Sequence, residues 1–253
     1  MHFRRLTADV YTGLLLLLAG CWVPWAHATT LLSASPNQAS YSLAPYSELW
    51  HATDQSIMLE NFLSHPPDFK HAHHEEDLNL GYTRHDVWLR TQVRNDSPET
   101  QRWMVQFEYP FLDYVTLYTL RQQGIEAQRS GSAVPVEQRA LAHRQAVFSL
   151  ELAAHERVTL YTHVAASGSK MLNYKLITPE AFYTQNDRYN FWLATYFGML
   201  LAMGLYNLLL FFGLKERVFL HYSLFVGGFA VAILTFNGIG TLMFWSFLGD
   251  NTT

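Results

Sequence analysis

Val87-Trp88-Leu89-Arg90-Thr91-Gln92-Val93 decides the fold of the larger part of this chain. On an extended backbone Val87, Leu89 and Val93 fall on one side and Trp88, Arg90 and Gln92 on the other. That is the two-residue period of a strand with one buried face. Asn95-Asp96-Ser97-Pro98 ends the run with turn formers. The pattern then repeats: Trp103, Val105, Phe107 and Tyr109 align in the next run. Further strands are read from Asp113 to Leu120, with a turn at Gly124, then from Ala146 to Leu152, Arg157 to Val164 and Leu172 to Ile177. Short, regularly spaced strands without helical periods predict an all-β, jelly-roll-like sandwich.

Working outward, the composition changes abruptly at residue 189. The 253-residue chain is 49% hydrophobic and only 15% charged, against about 25% charged in an average soluble domain. The deficit is local, since residues 189–248 carry only Lys215, Glu216 and Arg217 as charged side chains. The stretches 189–214 and 218–236 are each apolar enough for a membrane span. They predict two transmembrane α-helices joined by a turn at 215–217. Ala194, Gly198 and Ala202 recur every four residues, a stripe that lets another helix approach. Asn207 lies inside the first span, where an amide normally seeks a partner on a neighbouring helix. These four are the expected helix-packing residues. Tyr189, Trp192, Tyr196 and Trp245 suit the aromatic belt at the membrane surface.

The N-terminus reads as an export signal. Arg4 and Arg5 supply the positive end, Leu14 to Ala19 the apolar centre, and Ala26-His27-Ala28 the small residues before cleavage at Thr29. A competing reading makes Leu18-Ala19-Gly20-Cys21 a lipoprotein signal with a lipid on Cys21. A third leaves the segment as an uncleaved anchor. Cys21 is the only cysteine, so no disulfide framework is expected. Export of the polar part makes the first span run inward, placing Lys215 and Arg217 in the cytoplasm in accord with the positive-inside rule. The expected organisation is a signal peptide at 1–28, a linker at 29–45, a periplasmic β-sandwich at 46–182, spans at 189–214 and 218–236, and an outer loop at 237–253. A chain ending after two spans reads as part of a longer receptor. A net charge of −4 without long blocks argues against nucleic acid.

An ordered set of residues carries a family resemblance. Leu78-Asn79-Leu80-Gly81-Tyr82-Thr83, Val87 to Arg90 and Asn95 open it. Tyr109-Pro110, Leu112-Asp113, Val115, Leu117-Tyr118, Gly131, Pro135 and Arg139 continue it. Phe148, Leu160-Tyr161, Val164 and Pro179-Glu180-Ala181-Phe182 complete it. Over roughly residues 46–182 the chain resembles the type 2 extracellular domain of bacterial seven-transmembrane receptors with diverse intracellular signalling modules. Tyr206-Asn207-Leu208, Leu214-Lys215-Glu216-Arg217 and Leu220-His221-Tyr222 are similar to the start of that family's membrane domain. The resemblance implies a sensor similar to carbohydrate-binding modules in the periplasm, held in the bacterial inner membrane. It also implies a seven-helix domain and an output such as a diguanylate cyclase or histidine kinase, neither of which is complete in this sequence.

The expected ligand is a small extracytoplasmic molecule, a saccharide among the candidates, and a homo-oligomer is a further expectation. Trp88 could stack on a sugar while Arg90 and Gln92 bond its polar groups. Against that, a Trp in a mid-domain strand is usually core, and Arg90 then becomes a structural partner. Arg139 follows Pro135 in a loop and would meet either an anionic ligand or a nearby carboxylate. His65 and the run His71-Ala72-His73-His74-Glu75-Glu76-Asp77 form the densest group of metal-ligating side chains. Pro66-Pro67 just before the run favour a solvated loop, so no metal site and no cofactor are expected. No phosphate loop, G-x-S-x-G or H-E-x-x-H occurs, and no catalytic residue is assigned. The alternative to a receptor is a membrane-tethered domain that binds a partner protein or wall component without signalling.

Overall fold

The structure, a computed structural model, describes residues 31–52, 67–72, 78–83 and 85–240. The export signal, Cys21, the histidines at 65, 73 and 74, and Trp245 lie outside the described residues. The strands in chain order begin with β1 (Leu31–Ala34), β2 (Ser40–Ser42), β3 (Ser47–Ala52) and β4 (Lys70–His71). Next come β5 (Asn79–Tyr82), β6 (Asp86–Asn95), β7 (Gln101–Phe107), β8 (Tyr114–Arg121) and β9 (Gly124–Ser130). The last are β10 (Val147–Leu152), β11 (Arg157–Ala165), β12 (Ser169–Met171) and β13 (Tyr174–Ile177).

They form a β-sandwich, the fold class read from the sequence. The larger sheet runs β4-β3-β6-β11-β8-β9, with β1 added parallel to the far end of β6. The smaller runs β10-β7-β13-β2, and β12 pairs with β5 beside them. The β6 alternation does what its residues dictate: Val87, Leu89 and Val93 join Trp103, Val105, Phe107, Phe148 and Leu176 in one buried core between the sheets. A hydroxyl cluster crosses this core. Tyr174 Oη lies 2.7 Å from Ser47 Oγ and also contacts Thr91 Oγ1. Burial pushes the Tyr174 phenol up to about 12, with the two hydroxyls pulling the other way.

Helix α1 (Pro179–Leu214) leaves the smaller sheet directly. Thr178 caps it by accepting from the Ala181 N–H at 3.3 Å, Pro179 takes a first-turn position that needs no N–H, and Glu180 suits the positive helix end. Phe182 packs with Met104, Val147 and Ile177, covering the outer face of the smaller sheet. Lys215 ends the helix in a left-handed conformation, and α2 (Arg217–Phe236) follows at once. Both helices are long and apolar enough to cross a membrane. They meet where Ser223 Oγ donates to Gly204 O at 3.0 Å, next to buried Val226.

Candidate functional site

The outer face of the larger sheet is built in cross-strand rows. Trp50, Trp88, His163, Thr116 and Arg129 are register neighbours from β3 to β9. The next row holds Glu48, Arg90, Tyr161, Tyr118 and Ala127, and the one after it Gln92, Thr159, Leu120 and Ile125. Outward positions on several strands of this sheet thus carry aromatic rings among the charged and polar groups expected of a solvated face.

Trp88 is at the centre and only 2% exposed. Its ring stacks on Tyr118 at 5.8 Å and meets the tilted His163 ring at 4.7 Å. Ala52 and Tyr161 complete a second small cluster there, with Trp50, Phe69, Tyr118 and Leu120 packed at its margin and partly exposed. Trp88 therefore stiffens the face from beneath, and Trp50 and Tyr118 present aromatic surface.

Arg90 is held between Glu48 and Phe69. Its Nε donates to Glu48, and its guanidinium carbon lies 4.6 Å from the centre of the Phe69 ring. Burial works against its charge, but the Glu48 carboxylate and Tyr161 more than offset this and raise its pKa. His71 Nε2 reaches the other Glu48 oxygen at 3.3 Å. His163 Nε2 lies 3.1 Å from Asp86, yet burial keeps the imidazole below its ordinary pKa. Gln92 accepts from Arg157. Among the described residues no group of three or more His, Cys, Asp or Glu is placed to hold a metal ion.

Arg139 lies away from this face. It is 8% exposed and donates to the carbonyls of Val134 at 2.8 Å, His143 at 2.9 Å and Ser132 at 3.3 Å, tying its own loop together. In α1, Ala194, Gly198 and Ala202 are exposed and off the seam with α2. The Asn207 amide donates to Met203 O at 2.9 Å, within its own helix.

The face could have been read further from sequence. Tyr161 and His163 alternate with Leu160, Thr162 and Val164 just as Trp88 and Arg90 do with Leu89. Glu48 gives no such signal, because its role depends on β3 pairing with β6 across an intervening segment.

Residues 44–178 match the family model described as 7TMR-DISM extracellular 2, and residues 189–251 match the model described as 7TM diverse intracellular signalling. No curated protein matches the chain. Among solved structures, a beta-glucosidase from Paenibacillus barengoltzii is 9% identical with a TM-score of 0.27, and the match covers 60% of this chain and 11% of that one. A family 35 carbohydrate binding module from Clostridium thermocellum is 7% identical with a TM-score of 0.28, covering 56% of this chain and 99% of the module. Both likenesses are remote.

Proposed function

The chain belongs to the 7TMR-DISM receptor family, and from that membership we propose that its sandwich binds a small polar ligand and passes the event into the membrane helices. The observation that carries this reading is the division between the two outer faces. On the smaller sheet α1 covers the part of the face around Met104, Val147 and Ile177 through Phe182. The outer face of the larger sheet carries partly exposed Trp50 and Tyr118 beside Arg90 and Gln92. Aromatic faces beside planar hydrogen-bonding groups suit a saccharide or a similar polyhydroxy metabolite. Trp88 backs this surface rigidly, and Arg139 serves the loop that flanks α1.

The domain would face the periplasm of a bacterial inner membrane, with α1 running inward and Lys215 and Arg217 at a cytoplasmic turn. Ala194, Gly198 and Ala202 would receive further helices of a seven-helix domain, whose output module would carry any enzymatic activity.

A saccharide and metabolite panel tested by calorimetry and thermal shift decides the matter. Trp50→Ala and Tyr118→Ala should weaken binding by roughly tenfold or more, with a smaller loss of Tm than Arg90→Ala gives, since both rings are partly exposed. Arg90→Ala should lose both binding and stability, because it leaves the Glu48 carboxylate buried without its guanidinium. A complete panel without a binder, or tight capture of a wall polymer or protein by the same face, would replace this reading with the tethered interaction domain.

A further inference from the structure

A recess lies on the opposite side of the sandwich from the outer face of the larger sheet, where α1 passes from the smaller sheet toward the membrane. It encloses about 400 Å³. Gln106 and Gln145 line it from the β-domain, and Arg188, Tyr189 and Trp192 from the helix. Arg144 closes it, its guanidinium carbon 3.9 Å from the centre of the Tyr189 ring.

The polar groups have a direction. Gln145 Nε2 donates to the backbone carbonyl of Glu108 at 2.6 Å, and a carbonyl can only accept. Gln145 must then offer its Oε1 to Gln106 Nε2, at 2.7 Å. Gln106 is 5% exposed, and among the described residues its own Oε1 has no hydrogen-bond partner. A buried amide oxygen in that state calls for a donor.

The charges are equally one-sided. Among the described residues Glu108 is the only carboxylate lining the recess, and Lys175 Nζ neutralises it at 2.8 Å. Among the described residues neither Arg144 nor Arg188 forms a salt bridge. Besides its contact with the Tyr189 ring, Arg144 makes one long hydrogen bond among the described residues, to Asn190 Oδ1 at 3.4 Å. The site thus offers two guanidinium groups for an anion and one buried acceptor for a donor. Tyr189 and Trp192 mark its height as that of the membrane surface.

We propose that this recess binds a phosphate monoanion that carries its own hydrogen-bond donor, the chemistry of an ethanolamine or glycerol phospholipid headgroup. The phosphate meets Arg144 and Arg188 in charge-assisted bonds. The ammonium or hydroxyl donates to Gln106 Oε1. The site is distinct from the outer face of the larger sheet and stands or falls independently of the ligand there.

Choline headgroups supply the decisive control, since they have the same phosphate and no donor. The full chain in nanodiscs of phosphatidylcholine mixed with phosphatidylethanolamine or phosphatidylglycerol should retain the latter two on extraction, as read by native mass spectrometry. Arg188→Gln, at an exposed position, should lower that retention roughly tenfold, the loss expected for one charge-assisted contact. Gln106→Met should abolish the preference over phosphatidylcholine. Free phosphoethanolamine and glycerol 3-phosphate form the second arm. If they bind with the same dependence on Arg188 and Gln106 while the lipids do not, the headgroup chemistry holds and the source is soluble. Equal retention of all three lipids, or retention unchanged in Arg188→Gln, with no binding of the free phosphoesters overturns the proposal.

Discussion

Gly131 shows how closely one position can be constrained. It sits at φ +135°, and a Cβ there would come 2.3 Å from the carbonyl oxygen of Asp113. Gly131→Ala should cost roughly 3 kcal/mol through backbone strain and a forced shift of the β8 entry, read as a lower denaturant midpoint with unchanged slope. Tyr174 makes a different prediction. Its phenol is pushed up to about 12 in the folded protein, against about 10 in an unfolded chain. Between those values the unfolded state has released a proton that the folded state still holds. Stability is therefore whole below about pH 10 and falls as pH rises toward 12. Tyr174→Phe should be less stable at neutral pH by about 1 kcal/mol, from the lost hydroxyl contacts, and should lose less stability than wild type on moving from pH 10 to 12. Parallel alkaline curves for the two proteins would mean that Tyr174 is not the group responsible.

At the scale of the element, the start of α1 joins the two halves of the molecule. Phe182 is 2% exposed against Met104, Val147 and Ile177. Phe182→Ala should destabilise the sandwich by about 3 kcal/mol and speed proteolysis in the first turns of α1, a readout that a change on the other sheet would not give. Thr178-Pro179-Glu180 carries a helix-start signal, yet the sequence expectation keeps residues up to 182 in the sandwich and begins the first span at 189, whereas α1 begins at Pro179. The β6 alternation was legible, because one buried face writes itself into every second residue. Pairing was not. β1 lies parallel to β6 across about sixty residues of chain, and no local pattern encodes that. β9 was missed for another reason. Five of its seven residues are exposed, so it has no apolar face to display and is held by its hydrogen bonds to β8. Lys170 was unreadable for a third. It is fully buried, its charge satisfied by the carbonyls of Thr83 at 2.7 Å and Ala166 at 2.6 Å. Binary patterning assigns such a residue to the surface.

For the whole molecule, the two apolar helices make a hairpin with Lys215 and Glu216 between them and Arg217 opening α2. With single cysteines introduced in intact cells, Lys215→Cys should be labelled only after the membrane is permeabilised, and Gln123→Cys before it. The reverse pattern would invert the orientation. The sandwich touches this hairpin at both ends. Arg144 lies on Tyr189 near the head of α1, Tyr189 donates to Asn237 just past α2, and a Cβ on Gly238 would lie 3.0 Å from the Pro110 side chain. Sandwich, first helix, turn and second helix thus make a closed linkage, not a weight on a single stalk. In the receptor proposed above, a tilt of the sandwich would then load both shafts, and losing either contact would leave it acting on one alone.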